Sequence, residues 1–130
     1  MANLAIIPAR AGSKRIKNKN IKNFYGKPII HYSIENSLDS KIFNEIHIST
    51  DSKKIKKIVE GKNIKIDFLR PKNLATDTTP TYKVIDFTLN EYKKKGVLFD
   101  TICLLTACCP LISKRELVLY WSDNHKKFSV

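Results

Sequence analysis

At 130 residues, 42% of them apolar, the chain has the size and composition of one soluble globular domain. No apolar run approaches the ~18 residues of a membrane span, and no basic stretch leads into an apolar core at the start, so neither a span nor a signal peptide is expected and a cytoplasmic location follows. The net charge of +12 is chiefly lysine, only four of the 24 cations being arginine, which makes a solvated surface the first reading and nucleic-acid binding the alternative.

In chain order, Leu4–Ile7 is a short apolar run of the kind a buried strand makes. It leads into the loop PARAGSKRIKNKN, which carries Arg10, Lys14, Arg15, Lys17 and Lys19, and no acidic residue precedes Glu35. Pro28 suits the first turn of a helix, PIIHYSIENSLDS, in which Ile30, Ile34 and Leu38 recur at every fourth position. Glu45–Ser49 (EIHIS) alternates as a strand. Ile55, Ile58 and Val59 mark one face of a helix ending near Gly61. Ile64–Leu69 (IKIDFL) is predicted as a third strand. Thr81–Lys95 follows as a helix carrying Ile85, Leu89 and Tyr92, with Gly96 as its stop. Thr101–Leu105 (TICLL) is a fourth strand, and Ser113 with Glu116, in capping-box spacing, opens a fourth helix.

This alternation of strand and helix predicts an α/β fold, a mainly parallel sheet with helices on its faces. In such sheets ligands lie outside the carboxyl ends of the strands. The segments at those ends are PARAGSKRIKNKN, TDSKK, RPKNLATDTTPT and TACCPLIS. The basic loop therefore opens where a site is expected. It is neither a Walker A motif nor a dinucleotide fingerprint, because Gly12 is its single glycine. Its chemistry suits a polyphosphate all the same. Gly12 lets backbone N–H groups turn inward, Ser13 offers a hydroxyl, Arg10 a planar fork, and Lys14 and Lys19 compact charges. Lys17 and Lys22 are as readily explained by solvation.

Other residues give bland readings. Cys103, Cys108 and Cys109 lack zinc or disulfide spacing and read as small hydrophobes or loop residues. His31, on a helix, and His47, on a strand, read as packed or surface residues; His125 carries no argument, and Trp121, four residues after Leu117, reads as packing. Asp51, just past the second strand, is either a site carboxylate or the N-cap of the following helix, and the cap is preferred.

The stretch PARAGSKRIKNKNI resembles the N-terminal signature of the acylneuraminate (nonulosonate) cytidylyltransferases, and GKPIIHYSIENSLDSKIF, ISTDS and LRPKNLATDTTPT resemble further blocks of that family in the same order. The resemblance implies a Rossmann-like nucleotide-diphospho-sugar transferase fold with helices on both faces of the sheet. It implies that the anomeric hydroxyl of a 2-keto sugar acid attacks the α-phosphate of CTP, with Mg²⁺ present, giving CMP-sugar and pyrophosphate. Arg10 and Lys19 then take the catalytic, charge-stabilising places. The nucleotide is held by Arg10, Ala11, Gly12, Ser13, Lys14, Lys19, Asn20, Arg70, Thr79 and Thr81, with Arg70 helping to read cytosine and a backbone carbonyl near Thr79 accepting from its N4 amino group.

The segment LLTACCPLIS departs from the family's usual polar set at Thr106, Cys108 and Cys109, while Pro110 and Leu111 fit. Arg15 resembles the pseudaminic-acid branch. Family enzymes are longer, so the expectation is that residues 1–130 are the N-terminal, nucleotide-binding part of a single cytidylyltransferase domain. On that expectation the Mg²⁺ ligands, much of the sugar pocket and the homodimer interface lie in a further half, and the short chain binds CTP weakly without turnover. The alternatives are a cytidylyltransferase for the eight-carbon acid Kdo, a non-catalytic nucleic-acid-binding domain, and a vestigial paralogue. No nucleic acid or membrane partner is expected.

Overall fold

A strand that is apolar at successive positions needs cover on both faces, because its side chains alternate sides. The computed structural model, which describes residues 2–12, 21–62 and 64–105, supplies that cover. Its elements are β1 (Asn3–Pro8), β2 (Asn23–Phe24), β3 (Lys27–Pro28), α1 (Ile29–Ser40), β4 (Glu45–Ser49), α2 (Lys53–Glu60), a 3₁₀ turn (Lys72–Leu74), α3 (Thr81–Lys94) and β5 (Thr101–Leu104). β1 is the central strand, parallel to β4 on one side and to β5 on the other. Ala5 and Ile7 pack with Ile30 and Ile34 of α1 and with Ile55 and Val59 of α2. Leu4 and Ile6 pack on the opposite face with Ile85 and Tyr92 of α3. Each fully buried isoleucine contributes on the order of 2 kcal/mol. The expected parallel sheet with helices on both faces is thus present.

Two expectations change in detail. Ile64–Leu69 is not a strand. Ile64 and Ile66 are buried in the core, but the segment is paired with no strand among the described residues, and the Arg70 N–H that donates to the Thr50 carbonyl at 2.7 Å lies just past it and just past β4. Extended backbone with alternate burial needs no ladder, so the periodicity misleads. On α1, Leu38 is 42% exposed and its expected place in the core is taken by Ser33, Ser37 and Ser40. The Ser37 hydroxyl donates to the Ser33 carbonyl at 2.8 Å and that of Ser40 to Ser37 at 2.7 Å. The hydroxyls of Ser37 and Ser40 are satisfied within the helix, so these two can be buried.

The turns follow their residues. Between β2 and β3, Tyr25 and Gly26 both have positive φ (49° and 92°), as a two-residue hairpin loop of type I′ requires. Gly96, at φ 78°, closes the chain after α3 as expected. His31 Nε2 lies 3.1 Å from the Ile58 carbonyl and ties α1 to α2, a packing role. Cys103 is buried in β5. No helix among the described residues is long and apolar enough to cross a membrane. The helix predicted from Ser113, with Trp121, His125, Cys108 and Cys109, lies outside the described residues.

His47 of β4 stacks on Phe68 at 4.6 Å between centroids, with Tyr92 edge-on at 5.7 Å. It is 2% exposed, and its Nδ1 finds no hydrogen-bond partner among the described residues. Burial first, then the charge of Arg70, lowers its pKa to about 4, against the smaller pull of Asp67. The unfolded chain, titrating near 6.5, therefore binds this proton first as pH falls. His47 should contribute fully above about pH 6.5 and progressively cost stability down to about pH 4, by about 3 kcal/mol in all. Urea unfolding midpoints between pH 7 and 4 check this. The fall should be shallower in His47→Phe, and equal slopes in the two proteins would contradict it.

Candidate functional site

The carboxyl ends of β1 and β4 and the segment from Arg70 to Thr81 meet at one edge. Past β1, the Ala9 N–H donates to the Ser49 carbonyl at 2.8 Å and extends the pairing with β4 by one step. The chain then releases Arg10, whose Nη2 lies 2.5 Å from Asp77 Oδ1. The guanidinium folds back over its own loop, its Nη1 standing 3.5 Å from where a Cβ on Gly12 would sit. Both partners are about a third exposed or less, at 27% and 32%, so the pair faces the solvent side of the edge.

Ala11 turns its N–H to Asp51 Oδ1 at 2.9 Å. That amide is therefore engaged within the fold. Asp51 Oδ2 accepts from Lys72 Nζ at 3.0 Å, and its side chain is 6% exposed while that of Lys72 is 80% exposed. Burial pushes the Asp51 carboxyl up, but the Ala11 amide and Lys72 outweigh it and hold the group below the usual carboxylate range. The preferred cap reading of Asp51 is corrected here. Ser52 caps α2, its hydroxyl accepting from the Ile55 N–H at 3.2 Å, because it is the residue directly before the first helical position.

Arg70 is 6% exposed. Its Nε donates to Ser49 Oγ at 3.0 Å, its Nη2 to the Ser49 carbonyl at 2.6 Å and its Nη1 to the Leu74 carbonyl at 3.2 Å. The guanidinium thus pins the loop of residues 70–74 to the end of β4, a role the sequence reading did not assign. Thr79 sits in a small hydroxyl cluster, its Oγ1 lying 2.7 Å from that of Thr76 and accepting from the Thr76 N–H at 3.2 Å. Thr81 is exposed as the first residue of α3. Arg10, Ala11, Gly12, Arg70 and Thr79 therefore belong to one set of linked loops, with Thr81 two residues beyond. Ser13, Lys14, Lys19 and Asn20 lie outside the described residues. Asp77 and Lys72 were not foreseen; their partners are distant in sequence.

No group of three His, Cys, Asp or Glu side chains that could hold a metal occurs among the described residues. The two carboxylates at this edge, Asp51 and Asp77, are each engaged with a cation, Lys72 and Arg10. A depression on α3, lined by Phe87, Asn90, Glu91, Lys93 and Lys94, includes none of the linked loop residues.

The family model described as Cytidylyltransferase matches residues 4–129. The chain is 43% identical over 131 residues to the pseudaminic acid cytidylyltransferase of Campylobacter jejuni, an alignment covering 98% of this chain and 56% of that protein. It is 37% identical over 123 residues to the CMP-N,N'-diacetyllegionaminic acid synthase of Legionella pneumophila, covering 95% of this chain and 53% of that one. Among solved structures it is similar to CMP:2-keto-3-deoxy-manno-octonic acid synthetase complexed with CTP, with a TM-score of 0.79, 21% identity, and coverage of 95% and 47%. At that identity the likeness speaks to the fold alone. The chain spans about half the length of these relatives.

Proposed function

The chain belongs to the cytidylyltransferase family, and from that membership we propose that its linked loops bind CTP as the nucleotide half of a CMP-nonulosonate synthetase. The observation that carries this reading is the placement of Arg10. The arginine stands at the carboxyl end of the central strand and already holds a carboxylate oxygen at 2.5 Å, the geometry in which a guanidinium holds phosphate oxygens. In the complete reaction the anomeric hydroxyl of a 2-keto sugar acid displaces pyrophosphate from the α-phosphate. Such a transfer asks the protein mainly for positioning and for stabilisation of spreading charge, which Arg10 and the cations of residues 13–20 are suited to give. Mg²⁺ is expected to take part, held by residues other than those described. A cytoplasmic location, where CTP is made, fits this activity.

The sugar acid we propose is of the pseudaminic type. The relative bearing that name is 43% identical and the legionaminic one 37%, and Arg15 agrees with this choice. Pyrophosphate release from CTP and Mg²⁺ in the presence of pseudaminic, legionaminic, N-acetylneuraminic or Kdo acid tests it. Release greatest with pseudaminic acid is the expected order. Preference for Kdo would overturn the sugar assignment, and no release with any acid while CTP binds would confine this chain to nucleotide binding.

A further inference from the structure

We propose that Asp51 is the positioning residue of the phosphate-binding loop, holding the backbone between Arg10 and Gly12 in its binding conformation through the Ala11 amide; this rests on the reading above that CTP occupies this edge. The loop leaves β1 with one ladder-like tie, from Ala9 to Ser49. Its next anchor is the Ala11 N–H on Asp51 Oδ1 at 2.9 Å. An ionised carboxylate is a strong acceptor for an amide, and at 6% exposure water competes with it little. Donors for a developing charge are effective when they are fixed before the ligand arrives, and this bond does the fixing.

Two further observations separate this role from ordinary helix architecture. The N-cap of α2 is Ser52 and not Asp51. A carboxylate beside a triphosphate would also repel it, yet here its second oxygen is matched by Lys72 at 3.0 Å. Asp51 thus offers a strong acceptor to the loop while presenting little net negative charge to the ligand. It also joins segments from three parts of the chain, namely the loop after β1, the end of β4 and the 3₁₀ turn at Lys72–Leu74.

The test compares dissociation constants for CTP and CMP in the unaltered chain, Asp51→Ala and Asp51→Asn, with urea midpoints recorded for each. Asp51→Ala should weaken CTP by about tenfold or more, the scale of one lost charge-assisted hydrogen bond, and CMP by much less. Asp51→Asn keeps an acceptor oxygen for Ala11 and should fall between; it also carries the test if the alanine variant does not fold. A loss that is equal for CTP and CMP and tracks the urea midpoint would show a merely structural residue and overturn the inference. An unchanged CTP constant in either variant would overturn it as well, leaving the nucleotide reading intact. An unaltered chain that does not prefer CTP to CMP would overturn the nucleotide reading and this inference with it.

Discussion

Replacing Arg70 with alanine should lower the stability of the fold by about 3–5 kcal/mol, because a buried guanidinium making several bonds is removed at once. Its Nε, Nη1 and Nη2 bond Ser49 Oγ and the carbonyls of Leu74 and Ser49. Truncation would take this donor from Ser49 Oγ and the Leu74 carbonyl in a place that water reaches poorly, while the Ser49 carbonyl would keep the Ala9 N–H at 2.8 Å. It would also loosen the loop of residues 70–74 from β4, leaving the backbone link from Arg70 to Thr50 at 2.7 Å and the exposed ammonium of Lys72 on Asp51 at 3.0 Å. Arg70→Lys should recover little, since an ammonium cannot reproduce a planar fork that reaches two segments. Urea unfolding of the three proteins checks this. An alanine variant within about 1 kcal/mol of the parent, a change typical of an exposed position, would contradict it.

Arg10→Ala should behave in the opposite way. The ion pair with Asp77 has partners 27% and 32% exposed, and such pairs are worth about 1 kcal/mol or less once water and salt screen them. Stability should therefore hardly change. CTP binding should weaken by about a hundredfold, roughly 2.7 kcal/mol, because a charge-assisted contact to phosphate is lost while the rest of the loop stays in place. Asp77 would be left without this arginine, and a carboxylate facing the triphosphate adds repulsion in the same direction. Arg10→Lys should lie between the two. Calorimetric titration with CTP beside urea unfolding of the same samples checks the split. Parallel loss of stability and affinity would assign Arg10 to the fold.

The two arginines also show what the sequence conveys. Arg10 stands two residues past an apolar strand and in a run of cations, so its place at the carboxyl edge of the sheet was legible from order alone. Arg70 was read as a contact to the base, and nothing local announced its bonds to Ser49, 21 residues earlier. Asp51 is a similar case. The string STDS offers four residues of cap type, and the choice between Asp51 and Ser52 turns on which one directly precedes the helix. Its actual partner, Ala11, is forty residues upstream, a distance at which no periodicity or capping rule operates.

The sheet was more legible. Leu4 to Ile7 are buried on alternating faces by different helices, which is what an unbroken apolar run demands. Residues Ile64–Leu69 misled because period-two burial marks any extended segment against a core, and only a hydrogen-bond ladder distinguishes a strand. The serine face of α1 was missed because hydropathy takes no account of a hydroxyl that bonds its own helix.

The central claim is that the edge built by Arg10, Gly12, Asp51 and Arg70 is a cytidine triphosphate site, and calorimetric titration of the 130-residue chain with CTP, UTP and ATP in the presence of Mg²⁺ tests it most directly. The account predicts saturable binding of CTP in clear preference to UTP and ATP. Equal binding of the three nucleotides, or none by CTP, would contradict it.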